Sequence, residues 1–217
     1  MDAKEFAIAI GSAEPYLSTH SGRRFHFLNP RREDVSIHDI AHQTAMKCRF
    51  GGAVNHFYSV AQHSALCAIA ARGNWATRMA ALLHDANEAY LPDVQRPLKR
   101  AIASTWASIE VPAEDAIFRF LMGEETLKEV DWDEVKRVDN LLLVLEARVL
   151  LHDPHWAYDA HWGVDRDMTI RSIDPTFTPQ PPLEARAFFL DVWCGLQEAS
   201  DMPPSYEGHL LKVAGLI

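Results

Sequence analysis

Apolar residues recur at helical spacing through most of the chain, and turn residues interrupt them. Ser36 precedes the first such segment, with Asp39 in capping-box position, and Gly51-Gly52 ends it. The last amphipathic segment covers residues 183–199. Between them the pattern predicts a helix over 58–71, one capped by Asn74 that runs through RMAALLHDANEAY, one over 98–122 with a break or kink at Pro112, and a long one that begins at Asp131 or Asp133 and runs through WDEVKRVDNLLLVLEARVLLH.

The segments outside these helices are short or irregular. Residues 16–28 alternate weakly around Ser21-Gly22, which predicts a small β-hairpin after a loosely attached arm at 1–15. Residues 152–182 are rich in Pro, Asp, His and Trp and lack periodicity, so a long loop or flap is expected there, with a peripheral tail from Pro203. No βαβ alternation and no repeat is visible. We therefore expect an all-α fold with three parts: an arm and hairpin over 1–35, a helical core over 36–151, and a loop with a helix packed on the core over 152–217.

Composition narrows the function. The formal net charge is -9, which argues against a protein that coats nucleic acid but leaves room for a small phosphorylated substrate held by local cations. Cys48, Cys67 and Cys194 form no close pair, as expected of free thiols in a reducing compartment. The N-terminus does not resemble a signal peptide, and no run approaches the roughly 20 apolar residues of a membrane span. These features predict a soluble cytoplasmic protein.

Four residues on three predicted helices form a candidate metal site. His84 and Asp85 adjoin at the end of the apolar run MAALL, His63 lies within YSVAQHSALCAIAA, and Asp139 immediately precedes LLLVLE. A buried imidazole or carboxylate is costly without a compensating partner, and a metal ion supplies one. Imidazole and carboxylate ligands suit Mn, Co, Fe, Ni or Zn better than Mg or Ca. Two His and two Asp would leave coordination positions open, as in a catalytic site.

Further polar residues surround this set. Glu88 follows His84 by four residues, on the same face of the predicted helix, where it could orient or deprotonate a water; Asp93 could act as an acid or hold a hydroxyl group. Arg96 and Lys99 offer cations for phosphate. Each of these residues alone is more often an ordinary surface charge, so the prediction rests on the ordered set. His56 is as well explained by a plain loop position as by substrate contact, and the irregular spacing of His152, His155 and His161 favours surface or structural roles.

The ordered set resembles a known family. His63, His84-Asp85 and Asp139 match the H…HD…D signature of the HD superfamily. The segments CRFGG, HFYSVAQHS and ALLHDANEAYLPDVQRPLK resemble bacterial and phage HD phosphohydrolases related to the 5′-deoxynucleotidases and the phage enzymes that remove dATP. The resemblance covers about residues 36–145 and implies an HD-domain helical bundle of five or six helices around one divalent metal ion. Family members are often dimers or larger, so it also makes a homo-oligomer plausible.

The resemblance also implies residue roles. Glu88 aligns with a glutamate that orients the attacking water and Asp93 with a second catalytic carboxylate. Arg49 falls at a phosphate-contacting arginine, and Pro97 falls where the phage enzymes contact the base. Phe50 departs from the family, because the nucleotidases carry a Trp there that packs on the sugar.

The expected function is metal-dependent hydrolysis of phosphate from a small-molecule nucleotide, with a 5′-nucleotidase acting on deoxynucleoside monophosphates as the first choice. A dNTP triphosphohydrolase of the dATP type is the alternative. A cyclic-nucleotide or ppGpp hydrolase and a non-catalytic nucleotide sensor rank lower, and a purely structural helical protein ranks last. No nucleic-acid or membrane partner is expected. The base, the sugar, the number of phosphates and the physiological metal stay open.

Overall fold

The computed structural model of the chain describes residues 14–174 and 176–199, apart from the side chains of Arg96 and Ala199. The predicted arm, except for its last two residues, and the predicted tail from Pro203 lie outside this range. The strands are β1 (Leu17–Ser18) and β2 (Arg24–Phe25). The helices are α1 (Ile37–Ala45), α2 (Val60–Ala70), α3 (Trp75–Leu83), α4 (Arg96–Ala101), α5 (Ala103–Leu121), α6 (Glu124–Leu127), α7 (Trp132–Leu150), α8 (Ile170–Ile173) and α9 (Pro182–Ala199).

The described residues confirm the all-α prediction with its small hairpin. β1 and β2 pair antiparallel, with Leu17 opposite Phe25. Short 3₁₀ turns at 32–34, 49–52, 86–89, 155–158 and 160–162 connect the helices. None of the described helices is long and apolar enough to cross a bilayer.

Side-chain caps fix where three of the helices begin. The Ser59 hydroxyl accepts from the Gln62 amide at 3.1 Å. Asn74 caps α3 as predicted, accepting from the Thr77 amide at 2.9 Å. Asp131, rather than Asp133, caps α7 and accepts from the Glu134 amide at 3.1 Å. The sequence pattern was compatible with a start at either aspartate.

Asp39 has a different role from the capping box that the sequence predicts. Ser36 makes no side-chain cap bond at the start of α1. The Asp39 carboxylate is fully buried and accepts from the hydroxyls of Thr19 and Ser21 and from the Ser21 amide, at 2.9, 2.7 and 2.7 Å. It therefore ties the hairpin turn to α1, which a prediction based on residues close in sequence could not anticipate.

Two helix boundaries also differ from the prediction. The predicted helix through RMAALLHDANEAY ends at Leu83, with His84 as its C-terminal cap, and the chain turns at Asp85 into the 3₁₀ turn at 86–89. Glu88 is therefore not on a continuous helix with His84. Pro112 does not break its helix: α5 continues through it, because apolar residues on both sides of the proline, Ile109 before it and Ala113 after it, pack against the core. The interruption falls instead at Ile102, between α4 and α5.

Helix α2 is the centre of the bundle. All residues from Val60 to Ala68 are buried, because α1, α3, α7 and α9 pack around it. A residue on this helix is therefore surrounded by protein wherever it points, and His63, fully buried, is one of them. The 3₁₀ turn at 86–89 packs between α1 and α5, which brings the residues after His84 against the same core.

Candidate metal centre and cavity

The structure brings the four predicted ligands together from three helices. His63 lies in the middle of α2, His84 and Asp85 end α3, and Asp139 lies two turns into α7. The His63 and His84 Nε2 atoms are 3.2 Å apart. Asp85 Oδ2 is 3.7 Å from His63 Nε2 and 3.3 Å from His84 Nε2. Asp139 Oδ1 is 3.6 and 3.8 Å from the same two nitrogens. Donor atoms bound to one cation at roughly 2.0–2.2 Å lie about this far from one another.

The outer nitrogens of both imidazoles determine what the inner ones can do. His84 Nδ1 lies 2.8 Å from the Ala81 carbonyl oxygen, which can only accept, so Nδ1 carries the proton. His63 Nδ1 lies 2.8 Å from Glu146 Oε1, which also accepts from the Tyr58 hydroxyl at 2.7 Å. Both neutral rings therefore present bare Nε2 lone pairs to each other. Such a contact is favourable only with a cation between the rings, and the cluster is compatible with a metal ion.

Electrostatics at the cluster also favours a cation. Burial alone would raise the pKa values of Asp85 and Asp139, but the neighbouring imidazoles outweigh it and hold both well below the ordinary range. Burial alone would lower the pKa of His84, but Asp85 and Asp139 outweigh it and raise it well above its usual value. The carboxylates thus favour positive charge between the two imidazoles, and a bound metal ion would supply it.

Glu146 is the main residue of this centre that the sequence analysis missed. Its carboxylate is fully buried, bonded to His63 and Tyr58 as described, and its Oε2 lies 3.2 Å from Arg49 Nε. A carboxylate behind a ligating histidine fixes the ring's tautomer and orientation. The available signal was a lone Glu in the apolar run LLLVLEARVLL, seven residues after Asp139 and so on the same face of α7.

Cys67 lies one turn after His63 and faces the same point. The ligand atoms of His63, Cys67 and His84 lie within 4.8 Å of one another, and Cys67 Sγ is 3.5 Å from His63 Nε2. Burial, and then Asp139 and Glu146, raise the pKa of this thiol well above its ordinary value. A thiol ligates a metal as thiolate, so Cys67 is a weaker donor here than the two carboxylates.

Arg49 connects the centre to a cavity. It is 8% exposed, and its Nη1 lies 3.2 Å from Asp85 Oδ2. Phe50, the next residue, has φ 56° and ψ 26°, a left-handed conformation that is rare for a large side chain and is often found at functional sites. The arginine is thus held between Glu146 and Asp85, with an aromatic ring beside it at 5.6 Å.

Glu88 and Asp93 lie at the same cavity. Glu88 is 9% exposed, and its Oε2 is buried with no hydrogen-bond partner. Burial, and then Asp85 and Asp93, raise the pKa of Glu88 well above its ordinary value. Burial likewise raises the pKa of Asp93, although Arg49 opposes the shift. Both carboxyl groups are therefore suited to take up or release a proton nearer to neutral pH than free carboxylates are.

Two lysines that the sequence analysis missed support this region. Lys47 Nζ donates to the carbonyls of Glu88 and, at 2.6 Å, of Leu91, and so fixes the turn that carries Glu88. Burial lowers the pKa of Lys47. Lys136 Nζ bonds to Asp139 Oδ2 at 2.6 Å from the surface side. No short sequence motif indicates a role for either lysine. The contacts of Lys47 are distant in sequence, and the position of Lys136 in α7 is typical of a surface residue.

The cavity has a polar end at the metal centre and an apolar end away from it. Its volume is about 680 Å³. The residues that line it are Arg49, Phe50, Ala53, Asp85, Glu88, Asp93, Val94, Gln95, Pro97, Lys99, Lys136, Asp139, Leu143, Leu151, Trp156, His161 and Trp162. Predicted substrate contacts Arg49, Phe50, Pro97 and Lys99 are among them. His56 is exposed and is not among them. The Arg96 side chain lies outside the described part of the chain.

A smaller cavity of about 260 Å³ shares Asp85, Glu88, Lys99, Lys136 and Asp139 with the larger one. Glu110 and Glu114 from α5 make its far side acidic. Glu110 accepts from Lys99 Nζ at 2.6 Å, and burial, followed by Glu110, raises the pKa of Glu114. Lys99 therefore lies between a carboxylate of α5 and the carboxylates of the metal centre.

Two proteins of bacteria are similar to this chain over most of their length, although no protein-family model matches it. One, from Escherichia coli (strain K12), is described as the uncharacterized protein YfdR; it is 38% identical over 135 residues, which are 62% of this chain and 72% of YfdR. The other, from Rhodobacter capsulatus, is described as the uncharacterized protein RCAP_rcc00048 and is 32% identical over 178 residues, 78% of this chain and 89% of that protein. At these identities and coverages, the chain belongs to the family that includes YfdR and RCAP_rcc00048.

Proposed function

We propose that this chain is a metal-dependent phosphohydrolase of the HD superfamily that acts on a nucleotide, in the first place a deoxynucleoside monophosphate. One observation carries the proposal: the bare Nε2 atoms of His63 and His84 converge with the carboxylates of Asp85 and Asp139 at the polar end of a cavity large enough for a nucleotide. Ligand pockets of this kind typically have volumes of roughly 300–1,000 Å³.

The donor set fits a divalent transition metal. Two imidazole nitrogens and two carboxylates suit Mn, Co, Fe, Ni or Zn, and suit Mg less well. Such an ion, bound by His63, His84, Asp85 and Asp139, supplies Lewis acidity toward a phosphoryl oxygen and makes water a stronger nucleophile. Glu146 keeps the His63 tautomer that this binding requires, through the 2.8 Å bond to Nδ1.

The other residues at the polar end of the cavity have separate roles in proton transfer and in charge neutralisation. Glu88 orients the attacking water and accepts its proton; its raised pKa and unpartnered Oε2 support this assignment. Arg49, Lys99 and Lys136 neutralise negative charge on the phosphate oxygens as the bond to the leaving oxygen breaks. Asp93, half-buried on the same wall, returns a proton to the leaving alkoxide or holds a sugar hydroxyl.

The smaller cavity favours a monophosphate over a triphosphate. A triphosphate whose chain extended past the metal centre into that cavity would meet Glu110 and Glu114. A phosphate placed there would compete with the Glu110 carboxylate for Lys99, and the two anions would repel each other. A dNTP triphosphohydrolase is therefore the second choice within the same chemistry.

A substrate panel with three variants tests the proposal. Purified protein is treated with a chelator and reloaded with Mn, Co, Zn or Mg, and products from dNMPs, NMPs and dNTPs are separated by chromatography. Asp85→Ala is expected to lose metal binding and turnover together. Glu88→Ala is expected to lose turnover and keep the metal. Asp133→Ala, which removes an exposed carboxylate of α7, is the matched control and should behave as the wild type.

Three results would contradict the proposal. One is an Asp85→Ala protein that still turns over nucleotides, and another is wild-type turnover that survives complete metal removal. The third is nucleotide binding without any product in every metal, which would indicate a sensor. Inorganic triphosphate released from dNTPs, with no phosphate released from dNMPs, would replace the first-choice substrate by the second.

A further inference from the structure

We propose that residues 154–164, together with Phe50, form the subsite that binds the heteroaromatic base of the substrate, with Trp162 as its main contact. This inference rests on the proposed function, because it assumes that the phosphate of the substrate occupies the polar end of the cavity. The segment contributes Trp156, His161 and Trp162 to the cavity wall. Nothing in the metal centre requires these residues.

The aromatic rings of the segment already face one another in a fixed arrangement. The Trp156 and Trp162 ring centroids are 5.7 Å apart at an interplanar angle of 58°. The His161 ring lies 4.8 Å from that of Trp162. Trp162 Nε1 donates to the Trp156 carbonyl at 3.0 Å, so the indole cannot rotate without losing this bond. A wall of ordered π faces suits a flat ring better than it suits an aliphatic chain, because stacking needs parallel or offset planes.

Although the segment contains only two short 3₁₀ turns, it is held firmly against α7. Ala157 is buried in a small apolar cluster with Val144 and Ala147, and Phe50, Leu151, Trp156 and Trp162 pack on that cluster. Arg148 Nε donates to the Ala157 carbonyl at 3.0 Å, and its Nη1 donates to the carbonyls of Asp165 and Met168 at 2.6 Å. One arginine therefore satisfies three backbone acceptors of this region, and the wall is preorganised for a ligand.

The apolar part of the cavity begins within reach of a nucleotide whose phosphate lies at the polar end. Helix α7 passes along the cavity, contributing Asp139 at the polar end and Leu143 further on, and Leu151 follows directly after the helix. At a rise of about 1.5 Å per residue, Leu143 lies about 6 Å and Leu151 about 18 Å beyond Asp139. In a nucleotide only the sugar separates the phosphate from the base, so the base reaches the level of Leu143 and not that of Leu151. A phosphate at the metal centre thus places the base against the apolar end.

The imidazole of His161 gives this wall a polar edge. It is the exposed member of the three rings. Its Nδ1 lies 3.9 Å from Asp159 Oδ2, and its Nε2 can exchange a hydrogen bond with the edge of a base, while the indole faces cannot distinguish one base from another. We therefore assign base affinity to Trp162 and base preference to His161.

Direct binding measurements distinguish the contribution of the base to affinity from that of the sugar and phosphate. Calorimetry in the Glu88→Gln background, loaded with Mn, compares dAMP, dGMP, dCMP and dTMP with 2-deoxyribose 5-phosphate, which carries no base. Trp162→Ala is expected to weaken binding of the dNMPs roughly ten-fold or more and to leave binding of the base-free phosphate unchanged. Trp162→Phe should recover most of the loss. Phe57→Ala is the matched control, since it removes an exposed aromatic residue that lies outside this segment and does not line the cavity.

The outcomes for this inference and for the proposed function are distinct. Equal dNMP affinities in Trp162→Ala and wild type, or an equal loss for the base-free phosphate, would overturn the base subsite even if the enzyme hydrolyses phosphates. Absence of any product from wild-type protein, together with a base-dependent loss in Trp162→Ala, would overturn the hydrolase and leave the base subsite standing. Thermal unfolding of each variant identifies a lost fold, and in that case Trp162→Leu, which keeps an apolar side chain without a π face, replaces Trp162→Ala with the same expected loss. His161→Ala should reduce the differences in affinity among the four dNMPs, and unchanged differences would overturn its role in base preference.

Discussion

Replacing Glu146 by Gln is expected to weaken metal binding without touching a metal ligand. Glu146 Oε1 lies 2.8 Å from His63 Nδ1 and accepts its hydrogen bond, and the amide that replaces the carboxylate is a weaker and differently oriented acceptor. Loss of such an outer partner typically costs 10–100-fold in metal affinity, or about 1.4–2.7 kcal/mol. The side chain is fully buried, so solvent does not screen the effect.

The same substitution should also destabilise the metal-free protein. Arg49, 8% exposed, loses the charge that lies 3.2 Å from its Nε and keeps only Asp85. The Tyr58 hydroxyl can still donate to the amide oxygen, so the loss is smaller than for a fully broken buried pair. We expect about 2–3 kcal/mol of unfolding free energy, the range for a lost hydrogen bond to a charged group.

Two measurements test these magnitudes. Titration of metal-free protein with Mn or Zn, against a competing chelator, gives the affinity, and urea unfolding gives the stability. Glu125→Gln is the matched control, because Glu125 is a surface residue paired with Lys128 across exposed side chains, and an exposed pair contributes at most about 1 kcal/mol. If Glu146→Gln folds and binds metal as tightly as wild type, His63 is not a ligand held through Glu146. If it does not fold, Tyr58→Phe, which removes one bond to the same carboxylate, provides the comparison.

Four further results are expected. Burial, and then the carboxylates of Asp85 and Asp93, raise the pKa of Glu88 in the folded protein, so its contribution to stability is present below the ordinary pKa of 4.5 and is lost as pH rises through the pKa of the folded state. Metal-free Glu88→Gln should therefore have a higher melting temperature than wild type by calorimetry at neutral pH, and this difference must vanish in acid. Lys47→Met should lower kcat about ten-fold or more and leave metal affinity intact, since it loosens only the turn that carries Glu88; an unchanged kcat refutes that role. Asp39→Ala should cost about 3 kcal/mol in urea unfolding, because it strands three donors of the hairpin, and a loss below about 1 kcal/mol would show that the hairpin is not held through this carboxylate. Metal at about 100 times its Kd should add about 2.7 kcal/mol to unfolding and release protons, and a chelator that leaves the melting temperature unchanged would contradict specific binding.

Residues close in sequence were enough to predict much of the helical framework. The Asn74 cap, the small hairpin and the start of α7 within two residues follow from local hydrogen bonding and apolar periodicity. The end of α3 does not. Residues 84–90 are compatible with a helix, but Lys47 takes the carbonyls of Glu88 and Leu91 from 41 and 44 positions away. A long-range donor thus replaces helical bonding, and a single sequence carries no signal for it.

Some residues of the candidate centre could likewise be predicted from the sequence, and others could not. His63, His84, Asp85 and Asp139 were predicted as a group because each is a costly residue beside an apolar run, and a shared cation compensates all of them at once. Glu146 has the same property, in a still more apolar run, but its role is to orient His63, which lies 83 positions away in sequence, and no local pattern indicates that contact. The wall at 154–164 was unpredictable for another reason: its order comes from Arg148 bonding to backbone carbonyls, which leaves no periodicity in the segment itself.

Helix α7 joins these parts through its register. Asp139, Leu143 and Glu146 recur at four and three residues, so they follow one another along a single face, and the segment at 155–162 packs on the later turns of the same helix. A one-residue shift would rotate this face by about 100° and would remove the fourth ligand, the carboxylate behind His63 and the apolar wall together. Metal binding, the orientation of Arg49 and the shape of the apolar end therefore depend on one packing arrangement. It follows that a substitution that moves α7, even at its surface, should change metal affinity and nucleotide affinity in parallel, whereas a substitution at Trp162 should change only the second.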